Sequence, residues 1–108
     1  MNLNEYQTLA SRTDNDKEPM NMKLANYALG CTGEAGEVAD IIKKFVFHGH
    51  ELNKEELRKE LGDTLWYIAL IAKTAGFTLD EVAAANIEKL SKRYKNGFSK
   101  EDSINRVE

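Results

Sequence analysis

The chain carries one proline, Pro19, and seven glycines in 108 residues, so it has few places where regular structure can be broken. No stretch alternates apolar and polar residues for long enough to read as a strand, whereas helical spacing recurs throughout. The expected fold class is all-α, a four-helix bundle with a short N-terminal helix. Leu3, Tyr6 and Leu9-Ala10 give that first short helix, ending near Arg12-Thr13, and residues 14–19 form a polar loop. A long second helix runs from about Asn21 to Phe45 or Phe47, with Leu24, Tyr27-Ala28, Cys31, Val38, Ile41-Ile42 and Phe45 at helical spacing. His48-Gly49-His50 closes it. Asn53 followed by Glu56 opens a third helix, with a cap residue and an acid three positions on. Leu57, Leu61, Leu65, Ile68 and Ala72 form its apolar seam, and Gly76 ends it. Thr78 and Glu81 repeat the capping pattern and start a fourth helix reaching about Tyr94. Its expected core stripe is Ala83, Ile87, Leu90 and Tyr94. Residues 1–97 make one domain, and 98–108 form a polar, loosely held tail.

Composition narrows the function classes. A single cysteine excludes an intrachain disulfide and fits a reducing compartment. The first residues have neither the basic nor the apolar region of a signal peptide. No apolar run approaches the roughly 20 residues needed to cross a bilayer. A cytoplasmic location with no membrane partner is expected. The net charge of −3 argues against nucleic acid, which requires a concentrated basic surface. Two features call for self-association. The second helix, at ~1.5 Å per residue, is close to 40 Å long, well beyond the radius of a compact domain of this size. The run Thr64 to Ala72 is apolar nearly all round and needs neighbours on every side. A homodimer or homotetramer is expected, with the second and third helices at the interface.

The acids are the most informative residues. Glu34 and Glu37 lie three apart on the second helix, and Glu60 and Asp63 three apart on the third. Each pair therefore shares a helix face, where like charges are unfavourable. Elsewhere such neighbours mostly meet a lysine. Both pairs sit among apolar residues, beside Val38, Ala39, Leu61 and Leu65, where carboxylates must find a cation or a proton. Antiparallel packing of the two helices brings the pairs together. Four hard oxygen donors with no histidine or cysteine suit Mg2+, or Mn2+. Either pair alone is well explained as solvated surface; both together, on adjacent helices, are not. Gly30, Gly33 and Gly36 form a smooth ridge on the second helix, read either as close approach of a ligand or as a tight helix contact. On the fourth helix Asn86, Lys89 and Arg93 form a stripe suited to phosphate, and Lys44 is a further phosphate candidate. His48 and His50 read as loop residues. Tyr67 follows Asp63 by one turn and points to the same region.

At these residues the sequence resembles the MazG-like all-α nucleoside triphosphate pyrophosphohydrolases. The signature is ExxE, a spacer, then ExxD: here Glu34-x-x-Glu37, 22 intervening residues, and Glu60-x-x-Asp63. The likeness extends over Tyr6-Gln7, residues 26–30, residues 34–44, residues 60–67 and residues 86–98. It implies Mg2+ held by Glu34, Glu37, Glu60 and Asp63, and cleavage of a nucleoside triphosphate, expected to be a dNTP, to monophosphate and pyrophosphate. It implies substrate contacts from Tyr67 and from the Asn86, Lys89, Arg93 stripe. The general base is expected to be Glu37 or Glu34. Such hydrolysis needs cations to neutralise the triphosphate and a water of lowered pKa to attack it. A di-iron carboxylate bundle would need Glu-x-x-His on two helices, and this chain has none. The competing reading is a non-catalytic helical module, dimeric through its Leu/Ile seams.

Overall fold

The computed structural model describes residues 1–106 and is helical, with no β-strand among those residues. The helices are α1 (Leu3–Ala10), α2 (Met20–Phe47), α3 (Lys54–Ala75), α4 (Leu79–Arg93) and a short α5 (Lys100–Ile104), with a 3-10 turn, Ser11–Thr13, after α1. The caps sit where the sequence puts them. Asn53 accepts a hydrogen bond from the Glu56 amide at 3.1 Å, and Thr78 accepts one from the Glu81 amide at 3.1 Å. Gly76 ends α3 in the left-handed region, at φ 92°, which a side chain would disfavour.

The main packing unit is the antiparallel hairpin of α2 and α3. Tyr27 is buried in it, with its ring edge-on to Trp66 at 5.9 Å. At the far end of α3 lies the small core, where Ala69, Ala72 and Leu79 meet and Tyr6 packs on them. The α1 helix straps this corner. Buried Gln7 donates from Nε2 to the carbonyls of Ala69 (3.1 Å) and Phe77 (3.0 Å), and its Oε1 accepts from the Leu79 amide (3.1 Å). One amide side chain thus satisfies backbone groups on both sides of the α3–α4 turn. The Trp66 indole fixes the other end of the strap, donating to the Ala10 carbonyl (3.1 Å) and to Thr13 Oγ1 (3.0 Å). Lys23 then pairs at 2.9 Å with Asp14, whose side chain is fully buried.

Gln7→Leu keeps most of the volume and strands polar groups of the Phe77–Leu79 corner. Each stranded buried group costs about 1–3 kcal/mol, so the melting temperature should fall by roughly 10 °C. A thermal melt within a couple of degrees of wild type would mean the corner does not depend on this side chain.

Within the chain the helices do not close into the expected four-helix bundle. Helix α4 packs on α1 and α3 and makes no substantial contact with α2. Its anticipated core stripe is correspondingly open: Ile87 is 63% exposed and Leu90 is 37% exposed. The reason is that α1 occupies the corner where α4 leaves α3, so the start of α4 is covered at Leu79 while Ile87 and Leu90 further along it stay open. The tail also differs from expectation, since it includes the turn of α5, capped by Ser99 Oγ on the Asp102 amide at 3.0 Å. The Phe98 ring lies tilted against Tyr94, 5.3 Å between ring centres. The last two tail residues, 107–108, lie outside the described residues.

The dimensions match this open form. The radius of gyration is 16.8 Å, where a compact chain of this length has about 13 Å. The accessible surface is 8090 Å², against about 6,100 Å² for a compact monomer of this mass.

Candidate metal centre

The α2–α3 hairpin sets the register of the acids. Tyr27 opposite Trp66 and Tyr67 fixes one level of the pair. Gly30 lies against Tyr67 one turn further along α2. One more turn brings Glu34 to the level of Glu60 and Asp63. Ligand-capable oxygens of Glu34, Glu60 and Asp63 all lie within 4.8 Å of one another. Two antiparallel helices thus contribute one and two carboxylates to a single cluster.

Glu60 is its centre. A carboxyl–carboxyl hydrogen bond with Glu34 holds Glu60 above the ordinary carboxylate range, with desolvation and the charges of Glu34, Asp63 and Glu56 adding to the shift. Its Oε2 is shielded from solvent and has no hydrogen-bond partner. Three converging carboxylates, one with a shielded and unpartnered oxygen, make a site that calls for positive charge. The donor set is all hard oxygen, which fits a small divalent cation such as Mg2+ or Mn2+.

Glu37 is placed differently from its three counterparts. It is exposed and stands outside the cluster. It lines an adjoining recess of about 260 Å³, together with Asp40, Lys44, His50, Glu56 and Glu60 among others. Glu60 faces both spaces, so the recess opens directly from the cluster. Lys44 is held there by Asp40 at 2.8 Å, and Lys43 approaches the same carboxylate at 3.4 Å. These lysines hold Asp40 below the usual carboxylate range, and Asp40, with a smaller contribution from Glu37, raises Lys44.

Tyr67 lies one turn from Asp63, in a cluster of rings: Trp66 at 5.0 Å and Tyr27 at 6.3 Å. Of the three helix glycines, only Gly30 makes a tight contact; Gly33 and Gly36 face open space. Asn86 and Lys89 are exposed on α4, and Arg93 is half-buried with its guanidinium 5.9 Å from the Tyr94 ring centre. Because α4 packs on α1 and α3, this stripe is not part of the α2–α3 cluster among the described residues of the chain. Tyr6 is a neighbour that helical spacing gave no reason to choose. Burial, and then the charge of Asp63, raise its phenol, which places α1 beside the cluster.

The family model for the MazG nucleotide pyrophosphohydrolase domain matches residues 23–98. The chain belongs to this family. The match spans α2, α3 and α4, and with them all four acids and the fourth-helix stripe. Among curated relatives, the chain is 33% identical over 87 residues to the Gene 37 protein of Mycobacterium phage L5, covering 77% of this chain and 76% of that protein. It is 32% identical over 72 residues to the uncharacterized protein YvdC of Bacillus subtilis (strain 168), covering 58% of this chain and 68% of that one. No solved structure matches the chain significantly. Membership of the MazG family supports a hydrolase acting on nucleotides, with a carboxylate cluster suited to a divalent metal. No helix among the described residues is long and apolar enough to cross a membrane.

Proposed function

We propose that this MazG-family chain hydrolyses a nucleoside triphosphate, with a deoxynucleoside triphosphate as the expected substrate, to the monophosphate and pyrophosphate in the presence of Mg2+. The observation that carries the reading is the convergence of Glu34, Glu60 and Asp63, with a shielded, unpartnered oxygen on Glu60. A bound divalent cation would neutralise triphosphate charge and lower the pKa of an attacking water. Glu34, Glu60 and Asp63 would hold the cation. Glu37, across the recess from Glu60, would join them as fourth ligand or act as the base toward the attacking water; Glu34 is the other candidate for that base. Tyr67 contacts the nucleoside end of the substrate. Lys44, Asn86, Lys89 and Arg93 bind phosphate oxygens, the last three once assembly brings α4 to the hairpin. The functional unit is a homodimer or homotetramer, a reading supported by the open protomer and its surplus surface.

Attack at the α-phosphorus fixes the products. A dNTP incubated with the protein and Mg2+ should give monophosphate and pyrophosphate in equal amounts, and no orthophosphate until a pyrophosphatase is added. Chromatography of the eight common NTPs and dNTPs, with and without EDTA, reads both the bond cleaved and the preferred base and sugar. Release of orthophosphate with a diphosphate would overturn the reaction assignment. Metal-independent turnover would overturn the site.

A further inference from the structure

The contact between Gly30 and Tyr67 carries a consequence for the site that neither spacing nor family membership assigns. Gly30 lies in the middle of α2, half-buried, one turn before Glu34. A Cβ placed on it would collide with Cε1 and Cζ of Tyr67. The ring of Tyr67 is therefore laid directly on the backbone of α2. On its other sides Trp66 stands perpendicular to it at 5.0 Å and Tyr27 is tilted against it at 6.3 Å. The Tyr67 hydroxyl makes no hydrogen bond among the described residues, so the ring is held by packing alone. Both residues connect to the acids by one helical turn, Gly30 to Glu34 and Asp63 to Tyr67.

We infer that Gly30 is a positioning residue: its missing side chain seats the Tyr67 ring on α2 and so sets where the Tyr67 hydroxyl meets the nucleoside end of the substrate. This rests on the pyrophosphohydrolase reading and extends it to a residue that touches no substrate. The glycine has no conformational reason to be there, since α2 is regular and alanine is the better helix former. Its neighbours on the same helix reinforce the point. Gly33 and Gly36 meet nothing within 4 Å, so a general need for small residues does not account for Gly30.

The test is the pair of substitutions Gly30→Ala and Tyr67→Ala, singly and combined, assayed by dNTP hydrolysis over a range of Mg2+ concentrations. Gly30→Ala should lower kcat/KM by about tenfold or more, mainly through KM, because the ring is displaced while the carboxylates stay in place. Its Mg2+ dependence should match wild type, and its melting temperature should stay close to wild type. The near-ultraviolet circular dichroism should change, because Trp66 packs edge-on to the displaced ring. In the Tyr67→Ala background, which has no ring to displace, Gly30→Ala should have little further effect. An unchanged kcat/KM for Gly30→Ala would overturn the inference, as would an equal additional loss in the Tyr67→Ala background. A wild-type protein that cleaves no triphosphate overturns the pyrophosphohydrolase reading instead. The seating of the ring is then read from the near-ultraviolet spectra, where an unchanged Gly30→Ala spectrum overturns it.

Discussion

Glu60→Gln should abolish metal-dependent hydrolysis while leaving the metal-free protein as stable as wild type or more so. The glutamine keeps the shape of the side chain and removes one of three converging charges. Loss of a ligand and of the charge that draws the cation should reduce activity by about two orders of magnitude or more. The stability forecast follows from the raised pKa of Glu60. Its folded-state pKa lies above the ordinary 4.5, so the metal-free fold favours the protonated form. That contribution is fully present below about pH 4.5 and is lost as pH rises through the elevated folded value. In EDTA, wild type should therefore lose stability as pH rises from the ordinary carboxylate range toward neutrality. Glu60→Gln should lose less, because it cannot ionise. Mg2+ at pH 7 should raise the melting temperature of wild type clearly more than that of the variant, since binding to the native state stabilises by mass action. If Glu60 were instead a structural partner of a cation in the protein, its replacement would strand that charge and destabilise the fold. Melts of both proteins with EDTA and with Mg2+ separate these cases; a variant melting several degrees lower in EDTA sinks the metal-site assignment.

Val82→Glu should convert the protein from an oligomer to an unstable monomer. In the single chain Val82 is 41% exposed and lines an apolar recess with Ile68, Ile71, Ala72, Ala75 and Phe77. A polar substitution at an ordinary surface position changes stability by no more than about 0.5 kcal/mol. A charge buried without a partner in an interface costs several kcal/mol. The accessible surface exceeds that of a compact chain by about 2,000 Å², and stable interfaces bury about 1,200–2,000 Å² or more. Sedimentation of wild type at micromolar concentration should thus give a multiple of 12.2 kDa. Val82→Glu should sediment near 12.2 kDa and melt at least 10 °C lower. A wild type that runs as a stable monomer would overturn the assembly. An oligomeric Val82→Glu with a wild-type melt would move the interface off this recess.

Much of the hairpin was legible because its signals are local. Asn53, Gly76 and Thr78 act through bonds to residues three or four away, which a single chain displays in order. The pairing of α2 with α3 follows from a short loop between two long apolar faces. The rotation of each helix about its own axis is not local. Glu34 and Glu37 share a face, yet three residues amount to about 300° of turn, a net offset of 60°. That offset separates Glu34, in the cluster, from Glu37, in the recess. The hub role of Glu60 likewise comes from what α2 presents to it. Spacing made Gly30, Gly33 and Gly36 look alike, and only the partner ring distinguishes the first. The splay of α4 escaped notice because its apolar stripe reads the same whether it is covered by its own chain or by another. Gln7 entered only through the family likeness, since a polar residue on a short helix says nothing of backbone groups more than 60 positions away.

That strap also orders events during synthesis. The partners of Gln7 lie 62, 70 and 72 residues further along, so α1 leaves the ribosome long before its docking site exists. Eight residues are too few to hold a helix in water unaided. Tyr6 and Ala10 consequently wait, uncovered, through the emergence of both long helices. The hairpin can form by then, but the corner cannot, and closing so large a loop comes at the end of folding. The helix made before its partners is thus the later to find its place, and the native corner is completed only when α1 docks on residues made long after it.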